Sequence, residues 1–197
     1  CDWSSDVCSS DLMDWIIADR VGVPPEHQWH FCEKVWYVPD TRLCFSPPKD
    51  APPVAPLPAQ RNGYVTFGCV QNLTKINDYT LQVWKRVFDA VPGAHMRIQT
   101  PQFADMKAKD DFQMRLANLG FDTLRITLLP PAKRVEYLEK MADVDFMLDT
   151  FPYPGGTTTC EALWMGVPTL TIAGSTLLGR QGASLLSAGG LSDWRSE

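Results

Sequence analysis

The 197-residue chain is 45% hydrophobic and 21% charged and carries a formal charge of −5, the balance of a soluble globular domain with a real core. The acidic surplus argues against a nucleic-acid binder, which would carry a basic face, and no apolar run reaches the roughly 20 residues that cross a bilayer. The N-terminus lacks a basic stretch followed by an apolar one, so no secretory signal is read there and the cytoplasm is the expected compartment.

The first twelve residues, CDWSSDVCSSDL, hold Cys1 and Cys8 among serines and aspartates and follow neither a helical nor a strand period. They look like the conceptual translation of a sequencing adapter, and Arg195-Ser196-Glu197 looks like the same adapter read from the other end. Both ends are set aside from the fold, and residues 1–12 are expected to make few native contacts. The other cysteines, Cys32, Cys44, Cys69 and Cys160, form no C-x-x-C pair. His27 and His30 lie near Cys32, but loop residues in an aromatic segment are the simpler reading, and no metal or disulfide is expected.

Residues 13–46 read as irregular, with Pro24-Pro25 and aromatic anchors at Trp29, Phe31, Trp36 and Tyr37. PPKDAPPVAPLP at 47–58 is too rich in proline for regular structure and reads as an extended linker and domain boundary. From Gly63 onward, strand-like runs alternate with helical patterns. Strands are expected at 64–70, 95–100, 125–130, 144–150 and 168–174. Helices are expected from the cap at Asn77 or Asp78 to Val91, then at 103–119, 132–142, 158–166 and 177–188. In the first helix Leu81, Trp84, Val87, Phe88 and Val91 share one face, which places Trp84 and Phe88 in the core. Trp164 is expected to pack on the sheet. Alternation of nearly continuous apolar strands with helices predicts an α/β, Rossmann-like parallel sheet with helices on both faces. Ligands of such sheets bind beyond the carboxyl ends of the strands, so the loops after Gly68, Gln99, Leu129, Thr150 and Gly174 should line any site.

One run carries chemistry: DTFPYPGGTTTCEALWMGVPTLTIAG, residues 149–174. A strand ends at Asp149-Thr150, a loop with two prolines and two glycines follows, and a helix opens on three threonines. The unpartnered N–H groups and dipole of a helix start favour an anion. Gly155 and Gly156 allow close backbone approach, and Thr157, Thr158 and Thr159 add hydroxyl donors. Glu161, one turn in, can accept from ribose hydroxyls. Gly-Gly-Thr alone reads more simply as a turn and a helix cap than as an anion site; the longer run is more specific.

That run resembles the UDP-binding signature of glycosyltransferase family 41, the protein O-linked N-acetylglucosamine transferases and their bacterial relatives. The matching residues are Asp149-Thr150, Pro152-Tyr153, Gly155 to Thr159, Glu161 to Trp164 and Gly166-Val167-Pro168. VTFGCVQNLTKINDYTLQVWKRVFDAVPGAHM upstream, STLLGRQGASLL downstream, and MDWIIADR with FCEKVWYVPD extend the resemblance over about residues 13–194. It implies the C-terminal half of a two-domain GT-B enzyme at 59–194, preceded at 13–58 by a remnant of the N-terminal half and the linker. It implies an inverting transferase moving a sugar, most simply N-acetylglucosamine from its UDP conjugate, to Ser or Thr of an acceptor protein. UDP-GlcNAc or another UDP-hexose is then a donor substrate. No cofactor is implied, and no metal is expected.

By position, the resemblance gives Lys75 the catalytic task of offsetting charge on the UDP leaving group. It sets Asn72, Gly155, Gly156, Thr157 and Thr158 near the diphosphate and Glu161 on the ribose. Ala132 and Arg134 fall in the uracil-recognising loop, with Tyr137 and Lys140 on the following helix. Gly156, Tyr137 and Lys140 stand where animal members carry other residues, Ser175 departs from the family's acidic residue, and Arg180 is either structural or near the nucleotide. Only part of the N-terminal half is visible, and no 34-residue helical repeat of the tetratricopeptide kind. The chain is therefore expected to bind donor without transferring sugar alone, since acceptor positioning supplies much of the rate. Two other classes share the pattern: a GT-B sugar-nucleotide epimerase, which would want acidic and histidine residues at the cleft for proton abstraction, and a non-catalytic nucleotide-binding module.

Overall fold

The computed structural model describes residues 13–196, so the expectation for Cys1–Leu12 lies outside the described residues. Residues 13–46 are more regular than their sequence suggests. Strands β1 (Trp15–Ala18) and β2 (Lys34–Tyr37) pair in parallel, Trp15 opposite Lys34 and Ala18 opposite Tyr37. Four-residue strands are too short to display a period. One face buries Ala18 and Val35 with Val23, against Leu177, while Trp15, Ile17 and Trp36 stay largely exposed.

Asp19, immediately after β1, is fully buried. Its carboxylate accepts from the amides of Val21, Gly22 and Arg42 at 3.1, 2.7 and 3.1 Å and from Ser184 Oγ at 2.8 Å. Thr41 Oγ1 meets the same serine at 2.8 Å. The prolines that follow run extended until α1 (Pro58–Asn62), where proline at the first turn suits a helix start. Gly63, at φ 76°, closes α1 in the left-handed region. Buried Asp145 then ties α1 to the sheet through the amides of Ala59 (2.9 Å) and Thr66 (2.8 Å).

The main sheet has six parallel strands in the order β5-β4-β3-β6-β7-β8. They are β3 (Thr66–Cys69), β4 (His95–Gln99), β5 (Ile126–Leu129), β6 (Phe146–Leu148), β7 (Thr169–Ile172) and β8 (Arg195–Ser196). The last of these, within the end set aside above, runs beside β7. Strands are added outward from β3 in one direction and then, from β6, in the other. Right-handed crossovers therefore put α2 (Asp78–Ala90) and α3 (Met106–Asn118) on one face. They put α4 (Arg134–Glu139), α5 (Thr157–Trp164) and α6 (Gln181–Ala188) on the opposite one. Leu81, Trp84, Phe88, Phe112 and Leu116 build the first layer with β3, β4 and β5. Leu138, Met141, Ala162 and Met165 build part of the second. This is the expected α/β architecture.

Helix ends differ from their periodicity where a local bond intervenes. Asp105 accepts from the Lys107 amide at 2.9 Å and starts α3 at Met106, leaving 101–104 as a separate 3-10 turn. The helix expected over 132–142 divides into α4 and a 3-10 turn, Lys140–Asp143. Trp164, expected on the sheet, is half exposed at the end of α5; the buried side chains of that helix are Thr159, Glu161 and Ala162. No helix among the described residues is long and apolar enough to cross a membrane.

Asp19 gathers backbone and side-chain donors that a smaller residue would strand in the interior. Asp19→Ala is expected to lower stability by roughly 2–4 kcal/mol, read from urea unfolding. Hydrogen exchange should quicken at the Val21, Gly22 and Arg42 amides.

Candidate functional site

Strand order reverses between β3 and β6, and the loops beyond their carboxyl ends meet there. The loop after β6 is shaped by Asp149, which is almost wholly buried. Its Oδ1 accepts from the amides of Thr150 (2.9 Å) and Gly155 (2.7 Å), and its Oδ2 from Thr171 Oγ1 of β7 (2.9 Å). Burial pushes its carboxyl up to about 6, against the pull of these three donors. Across the loop, the start of α2 grips Phe151: Asn77 Nδ2 and Thr80 Oγ1 donate to its carbonyl at 2.7 and 3.0 Å. Trp84 Nε1 donates to the Asp149 carbonyl at 3.1 Å.

Gly155 lies so close to its neighbours that a Cβ there would stand 2.2 Å from Gln71 Nε2 and 2.5 Å from Thr159 Oγ1. Only glycine fits. At Gly156 a Cβ would stand 2.7 Å from Gln181 Nε2. Helix α5 begins here, its first backbone bond running from the Cys160 amide to the Gly156 carbonyl at 3.0 Å. The amides of Thr157, Thr158 and Thr159 precede that bond and belong to the helix start that attracts anions.

From the β3 side, a 3-10 turn (Leu73–Lys75) delivers Lys75. Its Nζ donates to Gln71 Oε1 at 3.3 Å and to the Pro154 carbonyl at 3.4 Å, and lies 3.8 Å from the centre of the Tyr153 ring. Partial burial lowers its pKa, while the Asp149 charge works the other way. Gln71, 7% exposed, donates from Nε2 to Thr158 Oγ1 at 2.7 Å. Lys75, Gln71, Gly155 and Thr158 thus form one network. Asn72 is mostly a cap: its Oδ1 accepts from Thr74 N, Thr74 Oγ1 and Gln102 Nε2 at 3.0, 2.8 and 2.9 Å.

A second cluster lies on α4 and α5. Glu161, 4% exposed, pairs through Oε1 with Arg134 Nη2 at 2.6 Å. The Tyr137 hydroxyl is buried beside it; burial first, then that carboxylate, raise its pKa, so the phenol stays neutral. Ala132 and Arg134 lie at the start of α4, Ala132 partly buried and Arg134 exposed. Lys140 pairs with Glu136 one turn back and joins Tyr137 in lining a small recess with Cys69, Val70 and Gln99. Burial pushes the Cys69 thiol up to about 12, which leaves it un-ionised and unsuited to attack. A larger cavity of about 510 Å³ lies between α2 and the β7–β8 edge and shares only Asp149 and Phe151 with the loop after β6. Its walls lack the glycines, threonines and lysine gathered around the start of α5.

Several participants carry no signal of their own in the sequence. Gln71 precedes the highlighted Asn72 by one place. Gln181 Nε2 donates to the Gly155 carbonyl at 3.2 Å and Arg42 Nη2 to Gln181 Oε1 at 3.1 Å, linking the segment before the prolines to the glycine loop. Arg180 serves structure: its Nε donates to the Val21 carbonyl at 2.6 Å and its Nη1 to that of Gly174 at 3.2 Å. Among the described residues no group of three or more His, Cys, Asp or Glu side chains could hold a metal ion.

Comparison with known proteins gives a consistent result. The sequence profile of glycosyl transferase family 41 matches residues 57–196. The chain is 40% identical over 180 residues to the probable UDP-N-acetylglucosamine–peptide N-acetylglucosaminyltransferases SPINDLY of Oryza sativa subsp. japonica and Arabidopsis thaliana. Those matches cover 91% of this chain but 19% and 20% of those proteins, so the chain spans about a fifth of the length of the curated relatives it matches. A mutant O-GlcNAc transferase of Thermobaculum terrenum superposes with a TM-score of 0.87 at 34% identity, over 94% of this chain and 35% of that one. A sucrose-phosphate synthase from Thermosynechococcus elongatus, 15% identical with a TM-score of 0.57 over 84% of this chain and 43% of that one, shares the fold alone.

Asp149 titrates near 6 in the folded chain against an ordinary 3.8. The folded state therefore holds a proton that the unfolded state releases, and this contribution to stability is present below about pH 4 and lost as pH rises through 6. Asp149→Asn keeps the Oδ1 acceptor without the charge. Its stability relative to the unsubstituted chain should rise by roughly 2–3 kcal/mol between pH 4 and pH 7, as measured by urea unfolding at both.

Proposed function

Because the chain belongs to glycosyl transferase family 41, we propose that it is the donor-binding half of a UDP-sugar-dependent protein glycosyltransferase. N-acetylglucosamine carried on UDP is the favoured donor, and Ser or Thr of a protein the acceptor. The observation that carries this reading is the joining of Lys75, Thr158 and the start of α5 through Gln71 at the strand-order reversal. An ammonium group and a helix start face the same corner, which is the chemistry a diphosphate requires.

In the proposed reaction an acceptor hydroxyl attacks the anomeric carbon from the side opposite the UDP oxygen. The new C–O bond forms as the old one breaks, with inversion; the electron pair of the old bond leaves with UDP, and the acceptor's proton passes to a base on the acceptor side or to water. Negative charge grows on the departing UDP. Lys75 and the helix start hold that charge without rearranging, so they stabilise the transition state more than the ground state. These groups supply the neutralisation that other transferases draw from a metal ion. Glu161, with Tyr137 and Arg134 around it, is assigned to the ribose and base, Ala132 to the base through its backbone, and Lys140 to supplementary charge. Gly156 and Thr157 complete the phosphate side, and Asn72 acts there through the turn it caps. The acceptor side is assigned to a preceding catalytic half, with tetratricopeptide repeats before it, in a cytoplasmic enzyme.

Calorimetric titration of this chain with UDP, with GDP for comparison, tests the donor site. UDP is expected to bind more tightly, and Lys75→Ala and Glu161→Ala each to weaken it at least about tenfold. If neither change matters, the assignment fails. In the full-length enzyme Lys75→Ala should lower kcat by about 100-fold or more. Incubated with UDP-N-acetylglucosamine and acceptor, the 197-residue chain alone should show no transfer; product formation would contradict the division of labour proposed here.

A further inference from the structure

We propose that Gln71 is a positioning residue that sets the hydrogen-bond polarity of the diphosphate cradle. The inference rests on the donor-site reading above and adds to it a group that acts through its neighbours. Gln71 is buried where the loops after β3 and β6 touch. Its two ends face different partners: Oε1 takes the Lys75 ammonium, and Nε2 reaches Thr158 Oγ1. The reverse orientation would set the amide's NH2 against an ammonium, donor against donor, so the lysine fixes which way the amide points.

That orientation has a consequence for Thr158. Its oxygen accepts from Gln71, so its own hydrogen is turned away from Gln71 and is available to donate. The hydroxyl lies on the first turn of α5, among the amides that attract an anion. The same glutamine holds Lys75 from one side while the Pro154 carbonyl holds it from another, so a phosphate competes only with the Tyr153 ring, 3.8 Å away, for the third N–H of the ammonium. One neutral side chain thus makes an ammonium and a hydroxyl both present hydrogens to one place, without adding charge of its own. Nothing bulkier than glycine can stand behind it at position 155, which keeps the amide pressed into this geometry.

A carboxylate at position 71 has nearly the same shape and the opposite effect. It accepts from both neighbours, draws the Thr158 hydrogen toward itself and places a negative charge beside the diphosphate. UDP binding by calorimetry and uridine binding by NMR titration are compared for the unsubstituted chain, Gln71→Glu, Gln71→Met and Lys75→Ala. Gln71→Glu is expected to weaken UDP by at least about tenfold and to leave uridine, which lacks phosphate, unchanged. Gln71→Met, neutral and of similar length, should lose less. A merely structural role would weaken both ligands together. The inference is overturned if Gln71→Glu leaves UDP affinity within about threefold, or weakens uridine equally. Should Gln71→Glu not fold, Gln71→Met decides by the same comparison, a loss confined to UDP being required. If the unsubstituted chain fails to bind UDP, or Lys75→Ala has no effect, the donor-site reading itself falls and this inference with it. If Lys75→Ala weakens UDP and Gln71→Glu does not, only the inference falls.

Discussion

A buried carboxylate at the end of β6 governs the geometry of this chain. Asp149 draws the Gly155 amide back toward the sheet, fixes the Thr150 amide and reaches across to Thr171 on β7. The loop between Thr150 and Thr157 is thereby folded over onto its own strand. That fold-back presses Gly155 against Gln71 and presents the first turn of α5 to the loop after β3. Burial works against the charge and three donors work for it, and the outcome is a carboxyl that titrates well above the ordinary range. Trp84 and Thr80 on α2 hold the same loop from the other face of the sheet.

The electrostatics follow from where the backbone stops. Parallel strands end together, and the helices that follow two of them start at that edge, so dipoles and unpaired amides gather on one side of the domain. Into this corner the fold brings one ammonium group, partly desolvated and lying over the Tyr153 ring. A few ångströms of sequence-local turn decide its placement, since Asn72 caps the turn that carries it. On the neighbouring helices the buried Glu161 is balanced by Arg134, an ion pair with one exposed and one buried partner. The ammonium group and the Glu161–Arg134 pair thus stand on different elements, the first on the turn after β3 and the second on α4 and α5.

Much of this was legible in the sequence because it is local. Continuous apolar runs such as TLLP and FML mark strands buried on both faces, and the Leu81, Trp84 and Phe88 spacing marks the inner face of α2. The glycine-threonine run announces its loop and helix in order. Other features depend on contacts between distant residues, for which a linear pattern has no mark. Arg42 meets Gln181 and Asp19 meets Ser184 across more than a hundred residues. Gln71 looks like one more polar loop residue until Gly155 and Thr158 are placed beside it. The β1–β2 pair hides because each strand has four residues and one covered face. Trp164 misleads because size suggests burial, whereas the inner side of α5 is filled by Thr159, Glu161 and Ala162.

The prolines at 47–57 look like a hinge, yet the segment before them is fastened to the domain after them. Asp19 is bonded to Ser184, Arg180 to the Val21 carbonyl, and Arg42 to Gln181, which in turn holds the Gly155 carbonyl. Although β1 and β2 form a sheet of their own, they are fixed to the domain that follows the prolines. The bonded path from Arg42 through Gln181 to the Gly155 carbonyl bypasses the linker altogether. The proline run therefore bridges two parts that are already joined elsewhere, and is not the only connection between them.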